Sequence, residues 1–192
     1  MFQVRIHGRG GQGVVTAAEL LSLAAFADGS ETQAFPSFGS ERMGAPVVAF
    51  CRIDDHRIRL REPIDEPDAV VIQDPTLLHH VDVFGGLVPD GYVLINSTRT
   101  VEELGLEALY ERTAAERVVT VGASEIAREH IGRPIPNAAL LGALAALTRC
   151  VSLDALDEAI AQRFRGGAAA GNRAAAHAAF AEVPREVAHA TD

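Results

Sequence analysis

A glycine-rich stretch near the N-terminus has the residue types and spacing to bind phosphate. Residues 7–13, His-Gly-Arg-Gly-Gly-Gln-Gly, follow a strand-like segment and precede an apolar helical one. Glycines at 8, 10 and 13 satisfy the G-x-G-x-x-G spacing of dinucleotide-binding loops, and free N–H groups at a helix N-terminus bind anions. The pattern predicts a cofactor-binding loop formed by Gly8, Arg9, Gly10, Gly11, Gln12 and Gly13. Close packing of another backbone, from this chain or from a partner, would explain the same glycines.

Two features of this stretch differ from an NAD site. Such sites place an acidic residue at the end of the second strand, where it holds the ribose hydroxyls. Here the second predicted strand ends at Phe35 and Pro36, and its acidic residue, Glu31, lies at the beginning. The additional Gly11 also makes the turn more open. A free-standing dinucleotide-dependent dehydrogenase is therefore the alternative function, not the favoured one.

A second unusual segment, residues 36–46, combines aromatic and charged residues in a loop. Phe35 and Phe38 flank a proline, and Glu41 and Arg42 follow. Exposed aromatic residues beside an arginine are enriched in binding surfaces. We predict that Phe38 and Arg42 contact a ligand or partner, with Arg42 making a bidentate contact to a carboxylate or phosphate. The alternative is that both phenylalanines pack into the domain's own core.

The remaining reactive side chains do not form an active site, so we expect neither catalytic nor metal-binding residues. Cys51 and Cys150 lack the spacing of a zinc site. Two cysteines are also too few for a cubane iron–sulfur cluster, which generally needs four thiolates. His79 and His80 are adjacent, so their side chains point in different directions. His7 could reach a ligand at the glycine loop, although a structural role is more common.

The composition limits the classes of partner. The chain has 192 residues, a formal net charge of −9 and seventeen arginines without a single lysine. A protein this acidic is poorly suited to binding duplex nucleic acid, which requires clustered cations. We see neither a signal peptide nor an apolar stretch long enough for a membrane span. We therefore expect a cytoplasmic protein that binds neither nucleic acid nor membranes.

The periodicity of apolar residues predicts an α/β fold. Strands are predicted at residues 2–8, 31–35, 47–53, 57–61, 68–74, 91–97 and 117–123, with 47–53 and 57–61 paired as a hairpin. Helices are predicted at residues 14–29, 75–84, 137–147, 152–164 and 168–183. This order indicates a Rossmann-like three-layer sandwich with a mixed, mostly parallel sheet and a helical C-terminal third. We expect one domain over residues 1–192, with its core at about 3–180 and a tail at 185–192.

Four motifs carry a resemblance to a known family. They are GRGGQGVVTAAELLSLAA, QAFPSFGSERMGAPVVAFCRID, IQDPTLL and GRPIPNAALLGAL, in this order between Gln3 and Phe180. Together they resemble the gamma subunit of 2-oxoacid:ferredoxin oxidoreductases, nearest the pyruvate type. One departure is Met43, which stands where the family usually has a second arginine after Arg42.

The resemblance implies a role in a larger enzyme. Such enzymes oxidatively decarboxylate a 2-oxoacid to an acyl-CoA and carbon dioxide and pass electrons to ferredoxin. Thiamine diphosphate lies between the alpha and beta subunits, and 4Fe-4S clusters lie in beta and in the ferredoxin-like delta subunit. The gamma subunit holds neither, packs on alpha and helps to enclose the coenzyme A site. Pyruvate is the expected substrate, and phenylglyoxylate, 2-oxoglutarate or branched 2-oxoacids are the alternatives.

Overall fold

The computed structural model describes residues 1–37 and 43–184. The predicted contacts of Phe38 and Arg42, and the predicted tail at 185–192, lie outside these residues.

Within the described residues, six strands form one sheet in the order β2-β3-β1-β4-β5-β6. Their bounds are β1 Phe2–Arg9, β2 Glu31–Pro36, β3 Pro46–Asp54, β4 Ala69–Ile72, β5 Tyr92–Asn96 and β6 Val118–Val121. Strands β1, β4, β5 and β6 are parallel neighbours, whereas β3 runs antiparallel to both β1 and β2. The predicted mixed, mostly parallel sheet is confirmed.

Most of the described helical structure follows the last strand, as predicted. The α-helices are α1 Val14–Ala27, α2 Ala123–Ile131, α3 Asn137–Thr148, α4 Leu153–Arg163 and α5 Gly166–Glu182, with short 3-10 helices at Pro75–His79, Glu107–Glu111 and Ala115–Arg117. Helix α4 begins where the Ser152 hydroxyl accepts a hydrogen bond from the Ala155 N–H at 3.1 Å, the usual N-cap arrangement. None of the helices in the described part of the chain combines the length and apolar character that a bilayer span requires.

The five α-helices lie on one side of the sheet, with α1 and α3 against the strands and α2, α4 and α5 packed mainly on other helices. Alternate residues of the strands, such as Val4, Ile6 and Cys51, point into the apolar cluster that these helices form. Helix α3 is apolar around nearly its whole circumference and lies at the centre of that cluster, as its sequence predicts. The opposite face of β4, β5 and β6 is covered by 3-10 turns and loops that contribute Leu77, Val83 and other apolar side chains. The molecule is therefore layered as predicted, with an irregular third layer.

Two predicted elements are absent from the structure. Residues 57–61 do not form the second strand of a hairpin, because β3 already has β1 on one side and β2 on the other. The predicted helix at 75–84 is reduced to the five-residue 3-10 helix Pro75–His79. Its continuation contains Val81 and Val83, whose β-branched side chains are weak helix formers, and Val83 is buried against the sheet instead.

Two buried arginines lie on the sheet face that the helices leave open. Arg52 on β3 is 1% exposed and donates to the Gln3 and Gln33 side chains and to the Glu62 and Pro63 carbonyls. Arg5 on β1 donates to the His7 ring and to the carbonyls of residues 64, 83 and 85. These guanidinium groups therefore fasten the loops to the sheet through backbone carbonyls.

Candidate functional site

The glycine loop lies at the carboxyl end of β1 and packs against a segment of its own chain. The Gly10 N–H donates to the Ala45 carbonyl at 2.9 Å, and the Gly44 N–H donates to the Gly10 carbonyl at 3.0 Å. Gly10 also forms an isolated parallel bridge with Met43. One side of the loop is thus occupied by residues 43–45. On this side the glycine loop packs closely against its own chain, which is the alternative interpretation of the glycine pattern.

Two of the glycines are required by close approach. A Cβ atom on Gly8 would lie 2.6 Å from Cγ2 of Val14 and 3.0 Å from Oε1 of Gln73. Gly13, the N-cap of α1, has φ = 75°, and a Cβ there would overlap the side-chain amide nitrogen of Asn137. The loop is therefore pressed between β4, α1 and the start of α3.

Polar side chains of the loop are bound to Asp74 and Thr76, directly after β4. Gln12 accepts from the Arg9 N–H at 2.8 Å and donates to Asp74 Oδ2 at 2.8 Å. The Arg9 guanidinium lies 3.2 Å from the same carboxylate and donates to Thr76 Oγ1 at 2.8 Å and to the Gly44 carbonyl at 3.0 Å. Burial alone would raise the pKa of Asp74, but hydrogen bonds from Thr76 and Gln12 and the charge of Arg9 lower it overall. Arg9 is thus held by the fold before any ligand binds.

A chain of buried amides continues from this network towards β5. Gln73 is 2% exposed and donates to Asn137 Oδ1 at 2.8 Å. The Asn96 amide donates to the Gln73 carbonyl and to the Ser124 hydroxyl, both at 2.8 Å. These bonds join the ends of β4 and β5 to the first residues of α2 and α3. They fix the geometry of the sheet edge at which parallel α/β sheets bind ligands.

An open cleft of about 380 Å³ lies at the N-terminus of α1. It is lined by Arg9, Gly11, Gly13, Val14, Val15, Thr16, Pro36 and Val47. The first turn of α1 contains no acidic residue, and its N-cap provides no side-chain hydrogen bond. The first-turn N–H groups, which have no partner within the helix, and the positive end of the helix dipole therefore favour an anion in this cleft.

A family profile described as pyruvate ferredoxin/flavodoxin oxidoreductase matches residues 3–182. The chain belongs to this family. It is 49% identical over 180 residues to the "pyruvate/ketoisovalerate oxidoreductases common subunit gamma" of Thermococcus litoralis, covering 94% of this chain and 96% of the relative. It is 46% identical over 183 residues to the "pyruvate synthase subunit PorC" of Methanocaldococcus jannaschii, covering 95% and 97% of the two chains.

Solved structures of the pyruvate ferredoxin/flavodoxin oxidoreductase type share the fold. The crystal structure of pyruvate oxidoreductase subunit PORC from Thermotoga maritima has a TM-score of 0.80 and 36% identity, and the match covers 95% of this chain and 97% of that one. A keto/oxoacid ferredoxin oxidoreductase gamma subunit from Geobacter sulfurreducens matches in fold with a TM-score of 0.68 at 23% identity, over 95% and 98% of the two chains. The predicted α/β fold and the resemblance stated from the four motifs are confirmed.

The structure brings parts of all four motifs to one place in this family member, since Met43, Gly44 and Ala45 of the second motif pack against the glycine loop. Gly8, Arg9, Gly10, Gly11, Gln12 and Gly13 surround the end of β1, as the sequence indicates. The IQDPTLL motif supplies Asp74 and Thr76, and GRPIPNAALLGAL supplies Asn137. Sequence reasoning gave these three residues no role. The sequence could indicate these residues only through their place in motifs shared with the family. No local pattern shows that the Asp74 carboxylate contacts both Arg9 and Gln12.

Phe35, the first aromatic residue of the second motif, lies on β2. Its ring packs 5.1 Å, centroid to centroid, from that of Phe50, and the Arg52 guanidinium carbon lies 5.4 Å from the ring centroid. Phe35 is only half-buried. It therefore packs on its own sheet without joining either apolar cluster, and one side stays accessible.

The two cysteines do not offer a ligand set for a metal cluster. Burial raises the pKa of the Cys51 thiol, and it raises that of Cys150 to about 11. Both side chains are therefore thiols at neutral pH. The described residues contain no group of three or more His, Cys, Asp or Glu side chains arranged to hold a metal ion.

His7 is a buried neutral imidazole rather than a ligand-facing group. It is 4% exposed, and its Nε2 accepts a hydrogen bond from Arg5 Nε at 3.0 Å. Burial and the charge of Arg5 lower its pKa to about 4. An acceptor nitrogen in this position must be unprotonated, so the geometry and the direction of the pKa shift agree.

We predict a loss of stability when the pH falls from about 6.5 to about 4. In this range the unfolded chain protonates His7 while the folded chain does not, so stability falls by at most about 1.4 kcal/mol per pH unit from this group. A His7→Gln variant should lack this component, whereas His80→Gln, at an exposed histidine, should keep it. Urea unfolding of the full chain between these pH values measures the slope. Equal slopes in the wild type and the His7 variant would contradict the assignment.

Proposed function

We propose that this chain is the gamma subunit of a multi-subunit 2-oxoacid:ferredoxin oxidoreductase. The enzyme oxidatively decarboxylates a 2-oxoacid, pyruvate in the first instance, to acyl-CoA and carbon dioxide and reduces ferredoxin. The observation that carries the proposal is the 49% identity to a gamma subunit over 94% of this chain and 96% of that relative. The chain supplies no reacting group of its own. It acts by binding and positioning.

The cleft at the N-terminus of α1 is the proposed contribution of this chain to the coenzyme A site. Val14, Val15 and Thr16 form the first turn of a 14-residue helix, and their N–H groups lie at its positive end, where a phosphate group is stabilised. Gly13 keeps the backbone free of side chains at that point. The bonds from Arg9 and Gln12 to Asp74 hold the loop rigid, so little entropy is lost when an anion binds.

Pro36 lines this cleft and stands two positions before Phe38 in the sequence. We include Phe38 and Arg42 in the proposed site as contacts to coenzyme A or to the alpha subunit, on the strength of the motif in which they stand. This part of the proposal rests on sequence alone.

The cofactors of the reaction belong, in this proposal, to the partner subunits. Thiamine diphosphate between alpha and beta would supply the decarboxylation chemistry, and 4Fe-4S clusters in beta and delta would conduct the electrons to ferredoxin. Four thiolates for such a cluster cannot come from the two cysteines of this chain.

Purification of the native assembly tests the proposal. A tagged copy of this chain should co-purify with thiamine-binding and cluster-bearing chains, and the assembly should reduce a viologen dye with pyruvate only when coenzyme A is present. Rates with 2-oxoisovalerate, 2-oxoglutarate and phenylglyoxylate then rank the alternative substrates by kcat/KM. Recovery of the chain alone, under conditions that preserve other complexes, would overturn the proposal.

The alternative of a free-standing dinucleotide-dependent dehydrogenase has little support in the geometry. Strand β1 is flanked by the antiparallel β3 rather than by β2, so the end of β2 does not lie next to the end of β1 as it does in a dinucleotide site. Residues 43–45 occupy one side of the loop. Saturable binding of NADH by the purified chain would revive this alternative.

A further inference from the structure

The sheet face opposite the helices carries a groove that the proposed coenzyme A site does not use. The groove has a volume of about 610 Å³ and is lined by Gln33 and Phe35 of β2 together with Arg57, Ile58, Arg59 and Arg61. We call it the arginine groove. No α-helix of the described residues covers this face, because all five lie on the other side of the sheet. Its floor is the sheet and its wall is the segment 57–61.

Three guanidinium groups line the arginine groove without a carboxylate partner in the described part of the chain. Arg57, Arg59 and Arg61 are exposed, and none of them takes part in the salt bridges found among residues 1–37 and 43–184. Neighbouring carboxylates are engaged elsewhere: Asp54 lies 3.2 Å from the N-terminal amine, and Glu62 accepts from the Arg61 N–H at 3.2 Å. Among residues 1–37 and 43–184, these three cationic side chains therefore have no acidic partner.

The floor of the arginine groove is held rigid from below. Arg52, itself 1% exposed, donates to Gln33 Oε1 at 3.1 Å and lies against the Phe35 ring. The same guanidinium donates to the Glu62 carbonyl at 2.7 Å, which fastens the far end of the segment 57–61 to the sheet. The groove is thus preformed, with a half-buried aromatic ring beside its cationic wall.

The segment that forms the wall has the sequence of a strand and lacks a strand partner. Arg57-Ile-Arg-Leu-Arg61 alternates charged and apolar residues, the pattern of a half-buried strand, yet it forms no ladder within the described residues. Ile58 is half-buried and Leu60 is 40% exposed. An extended chain lying in the groove would supply both the backbone partner and the apolar cover that this pattern needs.

We propose that the arginine groove binds an extended, acidic segment of another protein chain of the same enzyme. This inference rests on the proposed function, since it presumes a multi-subunit assembly. Charge complementarity supports it. The chain as a whole carries a net charge of −9, so an acidic partner is repelled elsewhere, whereas three arginines meet it here. Arginine forms bidentate contacts with carboxylates, and Phe35 offers an apolar anchor between them.

A charge-reversal experiment on the full chain tests the inference. The labelled chain is titrated with the remaining subunits, prepared from a strain that lacks it, and the dissociation constant is measured at low and high salt. The triple variant Arg57→Glu/Arg59→Glu/Arg61→Glu should bind about 100-fold more weakly at low salt. The matched control is Arg128→Glu/Arg133→Glu/Arg165→Glu, which reverses three exposed arginines outside the groove and should change the affinity by no more than about threefold.

Folding and competing occupants are distinguished by two further measurements. The neutral variant Arg57→Gln/Arg59→Gln/Arg61→Gln should unfold at the wild-type temperature and lose most of the salt dependence of assembly. Assembly of all three variants with wild-type affinity overturns the inference and leaves the proposed function standing. Failure of the wild-type chain to bind the other subunits overturns the proposed function and the inference with it. Saturable binding of pyrophosphate that only the groove variants lose, with normal assembly, overturns the inference in favour of a small anion.

Discussion

Replacing Gly13 by alanine is expected to destabilise the chain by about 3 kcal/mol. Two effects combine at this position. The backbone φ of 75° disfavours any side chain, and the added methyl group overlaps the Asn137 amide, which is itself buried and bonded to Gln73. Relief of the overlap requires either that the Asn137 side chain turn away, which breaks its bond to Gln73, or that α1 or α3 move within the apolar cluster. Urea unfolding of the full chain measures the loss.

Gly29→Ala is the matched control for this prediction. Gly29 has a similar φ of 91°, but a Cβ there meets nothing within 4 Å. Gly29→Ala should lower the free energy of unfolding only through its unfavourable backbone conformation, by about 1 kcal/mol. The excess at Gly13 then reports the clash with Asn137, and combining Gly13→Ala with Asn137→Ala should give a loss smaller than the sum of the two. Equal losses at Gly13 and Gly29 would show that the overlap costs nothing.

Arg52→Met should lower the free energy of unfolding by a similar amount, about 3 kcal/mol, for a different reason. Methionine fills much of the volume but cannot donate. The acceptor oxygens of Gln3, Gln33, Glu62 and Pro63 then lose their shared donor at a part-buried site. Burial lowers the pKa of this guanidinium, yet its charge is satisfied by four oxygen atoms in place of a carboxylate.

The comparison variant is Arg128→Met, at an exposed arginine whose contact is a 3.6 Å pair with Glu125. This substitution should change the free energy of unfolding by less than about 0.5 kcal/mol. Loss of Arg52 should also increase proteolysis in the segment 55–64, because its anchor to the sheet is removed. Unchanged stability and unchanged cleavage in Arg52→Met would contradict the role assigned to this residue.

Much of the fold could be predicted because its signals are local. Phe2, Val4 and Ile6 alternate with polar residues along β1, and the apolar run of α3 marks a helix buried on all sides. The glycine loop was also placed correctly between β1 and α1. The prediction that 57–61 pairs with β3 in a hairpin was wrong. A strand pattern does not show whether the intended partner strand has a free edge, and β3 already had two neighbours.

The sequence by itself determined most of the element types, the family and the position of the glycine loop, since these depend on residue spacing along the chain. Only the tertiary structure showed that Arg9 and Gln12 bind Asp74. It also showed that Asn137 closes over Gly13 and that five residues with a strand pattern lie beside an open groove. Contacts between residues more than sixty positions apart depend on the strand order. The pattern of apolar residues does not encode that order, because every strand with a similar apolar face is an equally good neighbour.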